Sequence, residues 1–283
     1  MKLRVGLAQI TPALGRLDRN LELCLEALAK ARQEQVDLLL FPELSLTGYY
    51  LKDLVPTVAQ RRDSPLLRRL ADESRDLSFV VGLVEESPEH LYYNACCYFE
   101  EGALRHVHRK VYLPTYGIFD EHRYLARGDR VRTFDTKFGR LAMLLCEDLW
   151  HPSAAYLAWV GGARMILAPS SSPGRGVGDP ERLGISSTWE AINRFYAKMF
   201  SLFVCFANRV GYEDGINFWG GSEVVGPDGG TVVKAEYLQD DFAVAAIDTA
   251  EVRRLRFFNT LLRDEDLALT LRELQRLAGE RYA

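Results

Sequence analysis

The chain has no apolar run approaching the roughly 18 residues needed to cross a bilayer, and its start lacks a signal-peptide pattern. Met1-Lys-Leu-Arg-Val-Gly-Leu-Ala-Gln9 passes straight into a strand-like alternation, with a second cation at Arg4. The five cysteines (24, 96, 97, 146 and 205) are odd in number and lack CxxC spacing, which fits reduced thiols in a cytoplasm rather than a disulfide framework. A formal net charge of −4 and 48% hydrophobic residues exclude both a nucleic-acid footprint and a disordered composition. No phosphate loop of the GxxxxGK[ST] type occurs, and Gly174-Arg-Gly-Val-Gly178 lacks the strand-to-helix setting of a dinucleotide fingerprint. Internal repeats, low-complexity tracts and linker-like composition are also missing. The expectation is a soluble cytoplasmic protein with no nucleic-acid or membrane partner, folded as a single domain over residues 1–283.

What is present is a run of strands and helices. Strands are expected at 3–10, 37–41 and 78–84, with an amphipathic helix over 17–35 and another over 64–76. Residues 91–100 and 104–110 flank Glu101-Gly102-Ala103 as a hairpin, and 131–136 and 140–146 pair around Thr136-Lys-Phe-Gly139. A helix near 153–161, a strand at 164–168, a Ser/Pro/Gly loop at 169–180, a helix at 186–201 and a strand at 202–207 follow. Asn208–Gly221 reads as a polar loop, and strands near 222–226, 231–236 and 241–247 come next. Helices over 249–258 and 264–278 form a C-terminal extension, about 249–283. Paired strands interleaved with helices imply sheets covered by helical layers.

Three apolar strands end on ionisable residues. Leu141–Leu145 runs into Cys146-Glu147-Asp148-Leu-Trp150-His-Pro152, and the end of a buried strand in an α/β protein is where chemistry is commonly placed. Cys146 can equally be a packed thiol, since free cysteine is among the most buried residue types. Leu38-Leu-Leu-Phe-Pro42 leads to Glu43; a carboxylate in partly apolar surroundings can act as a general base, though a loop acid or a cap has the same appearance. The third strand closes on Lys110, ahead of Val-Tyr-Leu-Pro114-Thr-Tyr116-Gly-Ile-Phe-Asp120-Glu121, where the plain alternative is a snorkelling lysine. Together they supply a base, a cation and a nucleophile. His106 and His108, two apart on one strand face, have a permissible metal spacing without a nearby third ligand, so no metal is expected. A Cys–His pair using His151 or His122 is disfavoured, because His151 sits five residues from Cys146 and directly before Pro152.

The sequence resembles the nitrilase, or carbon–nitrogen hydrolase, superfamily. Phe41-Pro-Glu43 followed by Thr47-Gly-Tyr49, Lys110 before Leu-Pro, and Cys146-Glu-Asp look like that family's Glu–Lys–Cys triad. The likeness extends through Ala207-Asn208-Arg-Val-Gly211 to the Gly-Gly-Ser222 strand. It implies an α/β fold, a four-layer αββα sandwich, paired into a homodimer or a higher homo-oligomer. It also implies hydrolysis of an amide through a cysteine thioester. Glu43 would take the thiol proton, Lys110 and the N–H after Cys146 would hold the oxyanion, and Glu121 would orient the lysine or substrate. No metal or organic cofactor is implied.

Leu113-Pro-Thr-Tyr116-Gly-Ile-Phe-Asp-Glu121, Cys146-Glu-Asp-Leu-Trp150 and Ala168-Pro-Ser-Ser-Ser172-Pro173 resemble the glutaminase domain of glutamine-dependent NAD synthetases. By that resemblance Tyr116, Glu121, Glu147, Trp150 and Ser172 line the pocket for a small primary amide, glutamine-like or an ω-amide. Loop packing is the alternative for Tyr116 and Trp150. The Ser-Gly-Gly phosphate loop of the synthetase domain is not in the sequence. A free-standing amidase is therefore expected, with an ammonia-supplying subunit for a separate synthetase as the second reading and a non-catalytic interaction protein as the third. Arg175 and Arg209 are placed near the pocket with no role assigned.

Overall fold

Side-chain alternation decides which way each strand faces. In β1 (Lys2–Gln9) Leu3, Val5 and Leu7 point to one side, and in β2 (Leu38–Leu40) Leu38 and Leu40 join them while Leu39 points away. The computed structural model describes residues 1–174 and 183–282. β3 (Ser78–Glu86), β4 (Tyr92–Glu100) and β5 (Ala103–Arg109) extend the first sheet, which is completed by the late strand β14 (Asp241–Asp248). Its order is β14-β1-β2-β3-β4-β5, parallel across β1, β2 and β3 and antiparallel elsewhere.

The second sheet contains β6 (Thr133–Thr136), β7 (Gly139–Met143), β8 (Met165–Ser170) and β9 (Phe203–Asn208). A separate hairpin, β10 (Val210–Glu213) and β11 (Ile216–Trp219), precedes β12 (Glu223–Val225) and β13 (Thr231–Lys234). The sheet order is β13-β12-β9-β8-β7-β6. Leu141, Met143, Met165, Leu167 and Cys205 face the inner side of the first sheet, and this apolar seam joins the two. Each leucine fully buried there contributes roughly 2 kcal/mol.

Helices close both outer faces. α1 (Leu17–Gln33) sets Leu21, Cys24 and Leu28 against Leu39, Phe79 and Phe99. A single turn, α2 (Val55–Val58), precedes α3 (Pro65–Glu73), which begins where Ser64 Oγ accepts from Leu67 N and Pro65 fixes the first turn. α4 (Glu121–Tyr124) is another single turn, and α5 (Pro152–Val160) and α6 (Gly184–Phe200) cover the second sheet through Ala155, Ala158, Tyr196 and Ala197. The layers are therefore α, β, β, α, the sandwich implied by the sequence. α7 (Ala250–Phe258), α8 (Leu261–Asp264) and α9 (Leu267–Tyr282) end the described chain.

Two expectations change. β7 stops at Met143, not at residue 146: Leu144 and Leu145 continue as buried irregular backbone, and Cys146–Trp150 form a 3₁₀ turn. The supposed polar loop 208–221 is largely the β10–β11 hairpin. Asp214 and Gly215 both adopt positive φ, 50° and 78°, the conformation that an Asp-Gly hairpin turn requires.

Candidate active site

The sandwich brings the ends of β2, β5 and β7 together. Glu43 and Lys110 are fully buried, and Glu121 and Cys146 are 7% and 6% exposed. Lys110 Nζ lies 2.8 Å from Glu43 Oε1 and 2.6 Å from Glu121 Oε1. The Glu43 loop can cross β3 because residue 82 is glycine; a Cβ there would sit 2.3 Å from Leu44 N. Ser171 Oγ anchors the same loop from the second sheet by donating to Glu43 O at 2.9 Å.

Electrostatics follow from burial and proximity. Burial alone would lower the Lys110 ammonium, but Glu121 and Glu43 outweigh it and hold the group well above the usual lysine range. Burial raises Glu121, against the pull of Lys110, to about 7. Burial and then Glu43 push the Cys146 thiol well above the usual cysteine range, with Lys110 opposing. Cys146 is thus a thiol at rest, and forming its thiolate requires a neighbour to take the proton. Glu43 Oε2 is a buried oxygen without a hydrogen-bond partner among the described residues. Cys146 itself sits at φ 42°, a strained angle for a residue with a side chain, at the tight bend that follows β7.

Two neighbours were not singled out by sequence reasoning. Asn94 Nδ2 donates to Glu43 Oε1 at 2.8 Å; an asparagine inside the otherwise apolar Tyr92–Phe99 run was the available signal. Tyr49, quoted above only as part of a motif, donates its hydroxyl to Glu121 Oε1.

A cavity of about 140 Å³ opens beside Cys146, walled by Tyr116, Glu147, Trp150, Ser172 and Trp189, among others. Of the residues expected in the pocket, Tyr116, Glu147, Trp150 and Ser172 are in this wall, while Glu121 lies behind it on Lys110. Tyr116 OH donates to Glu147 Oε2 at 2.9 Å, and Trp150 meets Trp189 edge-on with centroids 5.6 Å apart. Burial raises the Glu147 carboxyl, partly offset by Tyr116. Ser172 Oγ accepts from both Trp189 Nε1 (2.8 Å) and Trp219 Nε1 (3.1 Å). Both its lone pairs are then occupied, leaving the hydroxyl hydrogen to be donated.

The remaining candidates are placed elsewhere. Arg209 is fully buried, 2.7 Å from Glu213 Oε2, so it braces loops and does not face the cavity. Arg175 lies outside the described residues. His151 stacks on Tyr112 with centroids 3.5 Å apart, and His106 stacks on Phe134. His108 Nε2 is 2.8 Å from Asp148 Oδ2.

The family model described as carbon–nitrogen hydrolase matches residues 4–257. The glutamine-dependent NAD(+) synthetase of Thermotoga maritima is 31% identical over 263 residues, covering 90% of this chain and 43% of that protein. A glutamine-dependent NAD+ synthetase structure from Acinetobacter baumannii superposes with a TM-score of 0.79 at 26% identity, over 89% of this chain and 47% of that one. A carbon–nitrogen hydrolase from Helicobacter pylori G27 gives a TM-score of 0.83 at 26% identity, over 97% and 99% of the two chains. The chain thus spans less than half the length of these synthetases. The matched range spans Glu43, Lys110 and Cys146 and nearly the whole sandwich, and the protein belongs to the carbon–nitrogen hydrolase family.

Proposed function

We propose that the protein hydrolyses a small primary amide, glutamine or a related ω-amide, to the carboxylate and ammonia. The observation that carries this reading is Lys110 held between Glu43 and Glu121 next to Cys146, at the wall of a small cavity. Glu43 Oε2 takes the Sγ proton as sulfur attacks the carbonyl carbon. Lys110 and the Glu147 N–H stabilise the oxyanion of the tetrahedral adduct, in a site dry enough for such contacts to count. Glu43 returns the proton to the nitrogen, ammonia leaves, and a thioester remains. Water attacks the thioester as Glu43 takes its proton, and the acid departs from the regenerated thiol.

Cavity size supports a small substrate, since pockets for drug-sized ligands run to roughly 300–1,000 Å³. Glu147 is an anion suited to the ammonium of an amino-acid amide, and Ser172 is a donor suited to an oxygen. The full complement of Glu43, Lys110 and Cys146 speaks against a non-catalytic role on the same scaffold. All five cysteines are free thiols, which supports a reducing cytoplasm. Among the described residues no helix is long and apolar enough to cross a membrane.

The test is ammonia release from glutamine, asparagine, an ω-amide of a dicarboxylic acid, a carbamoyl amine and a simple nitrile, with Cys146→Ala in parallel. Turnover of one amide, lost by about 10³-fold or more in the variant, is expected; undiminished turnover in Cys146→Ala sinks the mechanism. A second reading, ammonia supply to a synthetase, is favoured by the named function of the relatives and predicts turnover that rises when an ammonia-dependent synthetase is added. A homodimer or a higher homo-oligomer is part of the proposal: Phe257, Phe258, Leu261, Leu271 and Leu274 are exposed on the C-terminal helices, and exposed apolar side chains favour association. Light scattering at the mass of one chain would refute it.

A further inference from the structure

We propose that Asp148, with His108, is a positioning residue that sets the distance between Lys110 and Cys146. The proposal rests on the amidase reading of the site, but its argument is geometric. Lys110 follows β5 in the first sheet and Cys146 follows β7 in the second. The seam between the sheets is apolar, and apolar contact is non-directional, so it does not by itself fix how far one strand end lies from another.

Asp148 supplies the missing direction. Its carboxylate is fully buried and has all four acceptor sites filled. Oδ1 accepts from Val111 N and Tyr112 N, both at 3.0 Å, and Oδ2 accepts from His108 Nε2 at 2.8 Å and Leu145 N at 3.0 Å. Three of these donors bracket Lys110 in sequence, and the fourth directly precedes Cys146. Asp148 N also donates to Leu145 O at 2.9 Å, closing the bend that holds Cys146 at its positive φ. One carboxylate therefore grips the chain on both sides of the lysine and at the root of the nucleophile's turn. Ser171 makes the corresponding tie to Glu43, so each of the two first-sheet groups is fastened to the second sheet separately.

Asp148→Asn preserves volume but places an amide against donors. His108 can change tautomer and accept; the backbone N–H groups cannot. A displacement near 1 Å between lysine and sulfur is expected to lower kcat about 100-fold with KM changed less than about threefold. A second readout needs no turnover: alkylation of Cys146 by iodoacetamide, followed by mass across pH. Lys110 favours the thiolate, whereas Glu43 and Glu121 oppose it. Loosening Lys110 therefore lowers the thiolate fraction and slows alkylation by about tenfold at each pH below the midpoint. Labelling of one cysteine, not five, shows that the variant is folded.

His108 gives a milder pair. His108→Gln keeps a donor and is expected to behave like the parent, whereas His108→Met removes it and should shift in the same direction as Asp148→Asn. A folded Asp148→Asn with the parental alkylation profile overturns the proposal, as does an unshifted His108→Met; if Asp148→Asn does not fold, the His108 pair decides. A parent that releases ammonia from no amide refutes the amidase reading, while the alkylation profiles still judge the role of Asp148.

Discussion

Lys110 and Tyr49 donate to the same oxygen of Glu121, Oε1, while Glu121 Oε2 is buried without a hydrogen-bond partner among the described residues. The same lysine reaches Glu43, so one ammonium is shared by two buried carboxyl groups. That imbalance makes the site sensitive to the loss of any member.

Lys110→Met removes the cation and leaves two glutamates buried together. Breaking such a pair from one side typically costs about 3–5 kcal/mol. Urea unfolding should show a loss of this order, along with loss of amide turnover. Parental stability would mean that Glu43 and Glu121 readily take up a shared proton instead.

Glu121 gives a pH signature. Its folded pKa, about 7, lies above the usual carboxylate value of 4.5, so the folded state holds the proton more tightly than the unfolded one. Its contribution to stability is complete below pH 4.5 and is lost as pH rises through about 7. The term amounts to about 3 kcal/mol. Denaturant titrations at pH 5 and pH 8 should show this fall in the parent and its absence in Glu121→Gln. A fall of equal size in both would assign it to another group.

Ser172→Ala would orphan two buried indole N–H groups and remove the one hydroxyl hydrogen left for a ligand. Each unsatisfied buried donor costs about 1–3 kcal/mol. Lower stability together with a raised KM is expected. Lower stability at an unchanged KM would reduce Ser172 to a support for Trp189 and Trp219.

Arg209→Met should act on stability and not on substrate binding, because Arg209 is paired with Glu213, whose Oε1 accepts from Tyr49 N and Tyr50 N at 2.8 Å. A loss of about 3–5 kcal/mol is expected, partly restored by adding Glu213→Gln. A KM effect confined to substrates bearing a carboxylate, in a variant of parental stability, would contradict the bracing role.

The sequence by itself determined the elements and the chemistry-bearing residue types. Alternation in Leu3-Arg-Val-Gly-Leu7 marks a core-facing side, because side chains two apart share a face, whereas the unbroken Leu38-Leu-Leu40 marks a strand buried on both faces. Glu43, Lys110 and Cys146 stood out because each follows an apolar run. Strand ends were less legible, since burial continues through Leu144 and Leu145 after the ladder with β8 has ended, and apolarity does not distinguish the two. The β10–β11 hairpin was hidden behind polar composition, although Asp214-Gly215 marked its turn.

Only the tertiary structure decided who meets whom. Asn94 on Glu43, Tyr49 on Glu121, Trp219 on Ser172 and Asp148 on the Lys110 segment join residues from 36 to 72 positions apart. Such contacts depend on how two sheets are stacked, a relation between distant segments that local pattern does not encode. Hydrogen bonds then fix the distances that hydrophobic burial leaves free.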